Sequence, residues 1–113
     1  MSDSLAESHC EPCEGGVSSF DPSQINEYLQ KVDEWNQIEE NGVPKIRKTY
    51  SFQDFVQAVE FVDEITEIAE LEGHHPVLKV SYGGVVVTLW THAVDGLTEN
   101  DFILASKLDQ VQS

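Results

Sequence analysis

The feature that most limits the fold is a long helical stripe set between two hairpin turns. Phe52, Phe55, Val56, Val59, Val62, Ile65 and Ala69 recur at spacings of mostly three or four until Gly73. The spacing predicts one amphipathic helix, ended by a residue that takes left-handed backbone freely. Ahead of it, Ser51-x-x-Asp54 has the form of an acidic capping box. Upstream, Asn41-Gly42 separates residues 35–40 from residues 43–50, and this dipeptide suits a type I′ turn because both of its residues need positive φ. Downstream, Gly83-Gly84 separates residues 77–82 from residues 85–92, two segments rich in β-branched side chains. A hairpin is therefore expected on each side of the helix.

Two further helices complete the pattern. Asp21 can cap a helix with Pro22 at its first position, and Ile25, Leu29, Val32 and Trp35 continue at helical spacing. Thr98-x-x-Asp101 precedes Leu104, Leu108 and Val111 in the same way. The order αββαββα predicts an α+β domain: a four-stranded antiparallel sheet with helices packed on one face.

Composition sets the limits of that domain. Residues 1–19 carry four acids, no Lys or Arg, and the run Glu14-Gly15-Gly16-Val17-Ser18-Ser19, so they read as a flexible acidic head before a domain at 20–113. Six Lys plus Arg against 21 Asp plus Glu give a net charge of −15, which repels phosphate backbones and anionic lipid and argues against nucleic acid and membrane as partners. No apolar run spans a bilayer and the N-terminus lacks the pattern of a signal peptide, so a cytoplasmic protein is expected. Cys10 and Cys13 provide no disulfide framework, and with only His9 nearby they are neither a complete zinc set nor a thioredoxin-type site. Their role is unassigned, with metal binding between subunits as the minor alternative.

The candidate chemistry lies at the joint Glu72-Gly73-His74-His75-Pro76, which holds two of the chain's four histidines. With Gly83-Gly84 as a two-residue turn, Tyr82 pairs with Val85 and His75 comes to lie opposite His92. Directly paired residues share a face, so two distant imidazoles would meet at the open end of the hairpin. His74 falls just past a helix C-terminus, where the dipole, Glu70 and Glu72 favour a charged imidazole and point to His74 as a proton donor. Three histidines in unlike surroundings suit paired proton transfer near neutral pH. Adjacent residues of an extended chain point to opposite faces and chelate one ion poorly, so no metal site is expected there. Asp101 is explained at its simplest as a capping residue, and Trp90 either stacks on a flat ligand or belongs to the core.

Glu70-x-x-x-His74-His75-Pro76, Tyr82, Trp90-Thr91-His92, Gly96-Leu97-Thr98 and Asp101 together resemble the signature of the pterin-4a-carbinolamine dehydratases. The match runs in element order from about residue 20 to residue 110, and the head Cys10-Glu11-Pro12-Cys13-Glu14-Gly15-Gly16 is similar to that of many bacterial members. Asp95 departs from the pattern where the family usually has glycine. The resemblance implies a carbon–oxygen lyase that dehydrates 4a-hydroxytetrahydropterins such as the biopterin, with no metal or organic cofactor. It implies His74 and His92 as the acid/base pair, His75 as the residue orienting the pterin, and Glu70 and Asp101 as supporting acids. Pro76, Trp90 and Thr91 are the candidate substrate-binding residues. It further implies homodimers or homotetramers and an aromatic amino acid hydroxylase as the source of substrate. Relatives of this fold also act without catalysis, one stabilising a transcription factor's dimer and others assisting Rubisco assembly in carboxysomes. An assembly factor has no need for three histidines, which favours the enzyme.

Overall fold

Asp21 begins the first helix, α1 (Pro22–Leu29), by a reciprocal exchange: its Oδ1 accepts the Gln24 N–H at 2.9 Å while Gln24 Oε1 accepts the Asp21 N–H at 3.0 Å. The computed structural model describes residues 19–112. The expected acidic head and the Cys10/Cys13 pair lie, Ser19 aside, outside the described residues. The helix is shorter than its apolar spacing suggested, since Val32 and Trp35 lie beyond it. Glu34 has φ 64°, a left-handed conformation that turns the chain toward the sheet. Trp35 is nonetheless buried, and its indole N–H reaches the Asp109 carboxylate at 3.2 Å.

The first hairpin follows expectation. β1 (Asn36–Glu40) and β2 (Val43–Ser51) pair with Glu40 opposite Val43, and the two turn residues, Asn41 and Gly42, have φ 53° and 78°. Both take the positive φ that a type I′ turn requires. The next helix, α2 (Phe55–Glu72), differs at its start: Ser51 is the last residue of β2, and Asp54 itself is the N-cap, accepting the Gln57 N–H at 2.9 Å. Its buried face also differs. Ala58, Phe61, Ile65 and Ala69 face the core, while Phe55, Val56 and Val59 are 50%, 65% and 38% exposed. The helix thus has two apolar stripes, and a single-stripe reading of the sequence merged them.

The second hairpin, β3 (Val77–Ser81) and β4 (Gly84–Leu89), is shifted from the expected register. Ser81 pairs with Gly84, so the turn is Tyr82-Gly83 and Gly84 belongs to the strand. The cause is β2. A Cβ on Gly84 would sit 2.8 Å from the Tyr50 carbonyl oxygen, so glycine is needed there for close backbone approach, and only Gly83 serves the turn.

The sheet is antiparallel throughout in the order β1-β2-β4-β3, and the helices pack on one face, as the α+β reading requires. Ile46, Tyr50, Val85, Val87 and Leu89 meet Phe61, Ile65, Phe102, Leu104 and Leu108 of α2 and α3 (Glu99–Gln112) in the core. Asp109 ties the far end of α3 to the sheet by accepting from Trp35, Lys48 and the Tyr50 hydroxyl. No helix among the described residues is long and apolar enough to cross a membrane.

Candidate active site at the meeting of two helix ends

Gly73 places the first histidine. It takes φ 67° at the end of α2, and the His74 N–H folds back to the Ala69 carbonyl at 3.2 Å, the closing bond of a Schellman turn. On the opposite side, the chain leaving β4 passes Trp90 and reaches Thr91, which forms an isolated bridge with Gly96. Between them a short 3₁₀ turn (His92–Val94) ends at Asp95, with φ 49°. Asp95 therefore adopts the left-handed backbone that glycine adopts most easily, and an Asp side chain tolerates it better than most. At Gly96 the constraint is space: a Cβ there would lie 2.8 Å from Ser19 Cβ. Thr98 then starts α3 and brings Asp101 inward.

Asp101 is the centre of the site. It is fully buried, its Oδ1 lies 2.6 Å from His74 Nε2, and its Oδ2 accepts the Thr91 hydroxyl at 2.8 Å and the Thr98 N–H at 3.0 Å. The capping role expected from the sequence is real, since the Thr98 N–H bond is the capping-box bond. The same carboxylate also grips an imidazole. The contact joins the C-terminal end of α2 to the first turn of α3.

The other histidines are placed separately. His75 Nε2 pairs with Glu70 Oε2 at 2.7 Å, and both side chains are exposed, 60% and 70%. Glu72 faces Lys107 at 3.6 Å. Glu70 and Glu72 thus face other partners, and the acid in contact with His74 is Asp101. His92 rests against Trp90 with ring centroids 4.3 Å apart, and Lys45 Nζ lies 3.8 Å from the Trp90 centroid while also bonding Glu40. Pro76 is half-buried ahead of β3.

The expected pairing of His75 with His92 does not occur. His92 lies in the 3₁₀ turn rather than in β4, and Val77 pairs with Thr88, a register that, carried outward, sets position 75 against 90 and position 74 against 91. The shift has a consequence, because His74 and Thr91 then converge on Asp101. The sequence reading missed this grip and the ammonium of Lys45 beside Trp90. The capping box was a partial signal for the first. Lys45 comes from the other hairpin, and no local pattern announces it. Among the described residues no cluster of three or more His, Cys, Asp and Glu side chains is arranged to hold a metal ion.

Fold and site together define a small α+β protein in which a buried carboxylate holds a histidine. Residues 18–111 match the family model described as Pterin 4 alpha carbinolamine dehydratase, and the chain belongs to that family. It is 45% identical over 111 residues to a Rickettsia bellii protein bearing that dehydratase name, covering 97% of this chain and 96% of the relative. A Microcystis aeruginosa protein of the same name is 40% identical over 107 residues, covering 95% and 92% of the two chains. Among solved structures, a transcriptional coactivator/pterin dehydratase from Brucella melitensis superposes with a TM-score of 0.77 at 32% identity, over 85% of this chain and 100% of that one. A pterin dehydratase-like Rubisco assembly factor of the alpha-carboxysome shares the fold, with a TM-score of 0.60 at 22% identity over 70% and 89% of the two chains.

Proposed function

We propose that the protein converts 4a-hydroxytetrahydropterin to quinonoid dihydropterin and water by histidine acid/base catalysis. The C4a–oxygen bond breaks as a proton reaches the departing hydroxyl, and the N5–H bond gives its electron pair to the new double bond as the N5 proton leaves. Atoms and charge balance with proton transfers alone. The observation that carries the reading is the 2.6 Å contact between His74 Nε2 and the buried Asp101. A carboxylate behind an imidazole holds the ring in place and stabilises the imidazolium formed when it takes a proton. His74 is accordingly the base toward N5, and His92 is the donor to the hydroxyl. This reverses the role that the dipole and the two glutamates suggested for His74, because Glu70 and Glu72 pair elsewhere. His75, held by Glu70, orients the pterin, with Pro76 and Trp90 shaping its site. Thr91 spends its hydroxyl on Asp101, so it serves the site from behind.

Self-association belongs to the same reading. β3 is an edge strand with Val77 and Val80 exposed, and α2 exposes Phe55, Val56 and Val59. Dimers or tetramers would cover both surfaces. The test of function is direct: a hydroxylase generates the carbinolamine, and its decay is followed with and without the protein after subtraction of the spontaneous reaction. Acceleration is expected. A folded protein that leaves the decay at its spontaneous rate sinks the dehydratase reading and points to an assembly role.

A further inference from the structure

Thr91 and Thr98 take no direct part in the acid/base scheme, yet both are buried, 3% and 4% exposed, with their hydroxyl oxygens 3.0 Å apart. We infer that they form a one-way hydrogen-bond chain that fixes the orientation of the Asp101 carboxylate, with Oδ1 toward His74, and thereby selects which nitrogen of His74 meets the substrate. Both are positioning residues. The effect on rate rests on the dehydratase reading; the effect on the imidazole does not.

The direction of the chain follows from donors that cannot be reversed. A backbone N–H only donates, and a hydroxyl has one proton to give. The Asn100 N–H gives to Thr98 Oγ1 at 3.3 Å, and the Thr98 N–H gives to Asp101 Oδ2 at 3.0 Å. Thr91 gives its single proton to Asp101 Oδ2 at 2.8 Å. It therefore has none left for Thr98, and the 3.0 Å contact between the hydroxyls must be Thr98 donating to Thr91. Polarity runs without a break from Asn100 through Thr98 and Thr91 to Asp101. Turned the other way, buried Thr91 would aim a lone pair at the buried carboxylate, two acceptors facing each other.

With two donors on Oδ2, the Asp101 carboxylate presents Oδ1 to His74 Nε2 as an acceptor. His74 Nε2 must then carry the hydrogen, and in the neutral ring Nδ1 carries the lone pair. Helix capping alone accounts for the Thr98 N–H bond; it gives no reason for a second, buried hydroxyl to point at the same oxygen.

The experiment uses the full chain labelled with ¹⁵N-histidine, the His74 signals assigned by their loss in His74→Gln. Long-range proton–nitrogen spectra of the wild type should show the neutral His74 ring as the Nε2–H tautomer. In Thr91→Val, a folded protein should show a mixture of tautomers, with kcat reduced about 10-fold and KM within about twofold, the loss of one charge-assisted hydrogen bond. Thr91→Ser should restore both readouts. If Thr91→Val fails to fold, Thr98→Ala, which keeps the main-chain bond to Asp101, should move the same two readouts in the same direction. A wild-type Nδ1–H tautomer overturns the inference, as does a folded valine variant with tautomer and kcat unchanged. A wild type without dehydratase activity whose tautomer still shifts in Thr91→Val would support the chain while removing the function proposed above.

Discussion

His74 Nε2 and Asp101 Oδ1 lie 2.6 Å apart, joining the end of α2 to the first turn of α3. One carboxylate thus serves as a helix cap and as the support of an imidazole. Asp101→Asn preserves size and can still accept the Thr98 N–H, but an amide can also present N–H to the ring and so favour the wrong tautomer. The expected outcome is a folded protein with kcat lowered by roughly 10²-fold or more. Denaturant unfolding and steady-state kinetics on the same sample check it.

The histidines should separate kinetically. On the proposed roles, His74→Ala and His92→Ala should each lower kcat by about 10²- to 10⁴-fold, the usual contribution of a general acid or base, whereas His75→Ala should mainly raise KM. The exposure of the His75–Glu70 pair fits that smaller role. Turnover at wild-type level in a folded His74→Ala protein would refute the assignment.

Tyr50 makes stability depend on alkaline pH. Burial above all, then its hydrogen bond to Asp109 and the charges of Asp109 and Asp33, raise its phenol above the usual value. The unfolded chain ionises near pH 10 while the folded chain resists, so the stabilisation is fully present below about pH 10 and is lost as pH rises beyond it. Tyr50→Phe cannot ionise. It should be less stable than wild type by about 1.5–3 kcal/mol at neutral pH, the cost of a hydrogen bond to a charged group. That gap should narrow above pH 10, as read from urea midpoints across pH.

The loop from Thr91 to Gly96 contains two substitutions of opposite sign. Asp95→Gly relieves a left-handed backbone and should be neutral or stabilising by up to about 1 kcal/mol. Gly96→Ala drives a methyl into Ser19, 2.8 Å away, and should destabilise by about 1–3 kcal/mol unless Ser19 moves off. Thermal unfolding of both variants decides.

Assembly can be tested at the sheet edge. Sedimentation at micromolar concentration should show dimers or tetramers, and Val80→Lys, a charge on the edge strand, should shift them toward monomer while leaving the fold intact. A wild type that is wholly monomeric would count against it.

Local chemistry determined much of this protein. Asp21-Pro22, Asn41-Gly42, Gly73 and Thr98-x-x-Asp101 each act within a few residues, through caps and turns whose geometry depends on few neighbours, and each stands where the sequence placed it. Their order was enough for an α+β sheet-and-helix domain, and the histidines with Asp101 were visible as candidates. Contacts between distant segments decided the rest. Gly84 joined β4 because β2 passes too close for a Cβ, and that single-residue shift of the turn removed the His75–His92 pairing. Paired positions in a hairpin have a constant sum set by the turn, so moving the turn by one residue moved every partner by two. Which of two apolar stripes α2 buries depended likewise on the sheet beneath it. That Asp101 holds His74 while receiving Thr91 and Thr98 could emerge only when the ends of α2, β4 and α3 met, because hydrogen bonds at 2.6–3.0 Å are set by position in space, whereas periodicity reports only which face a residue occupies.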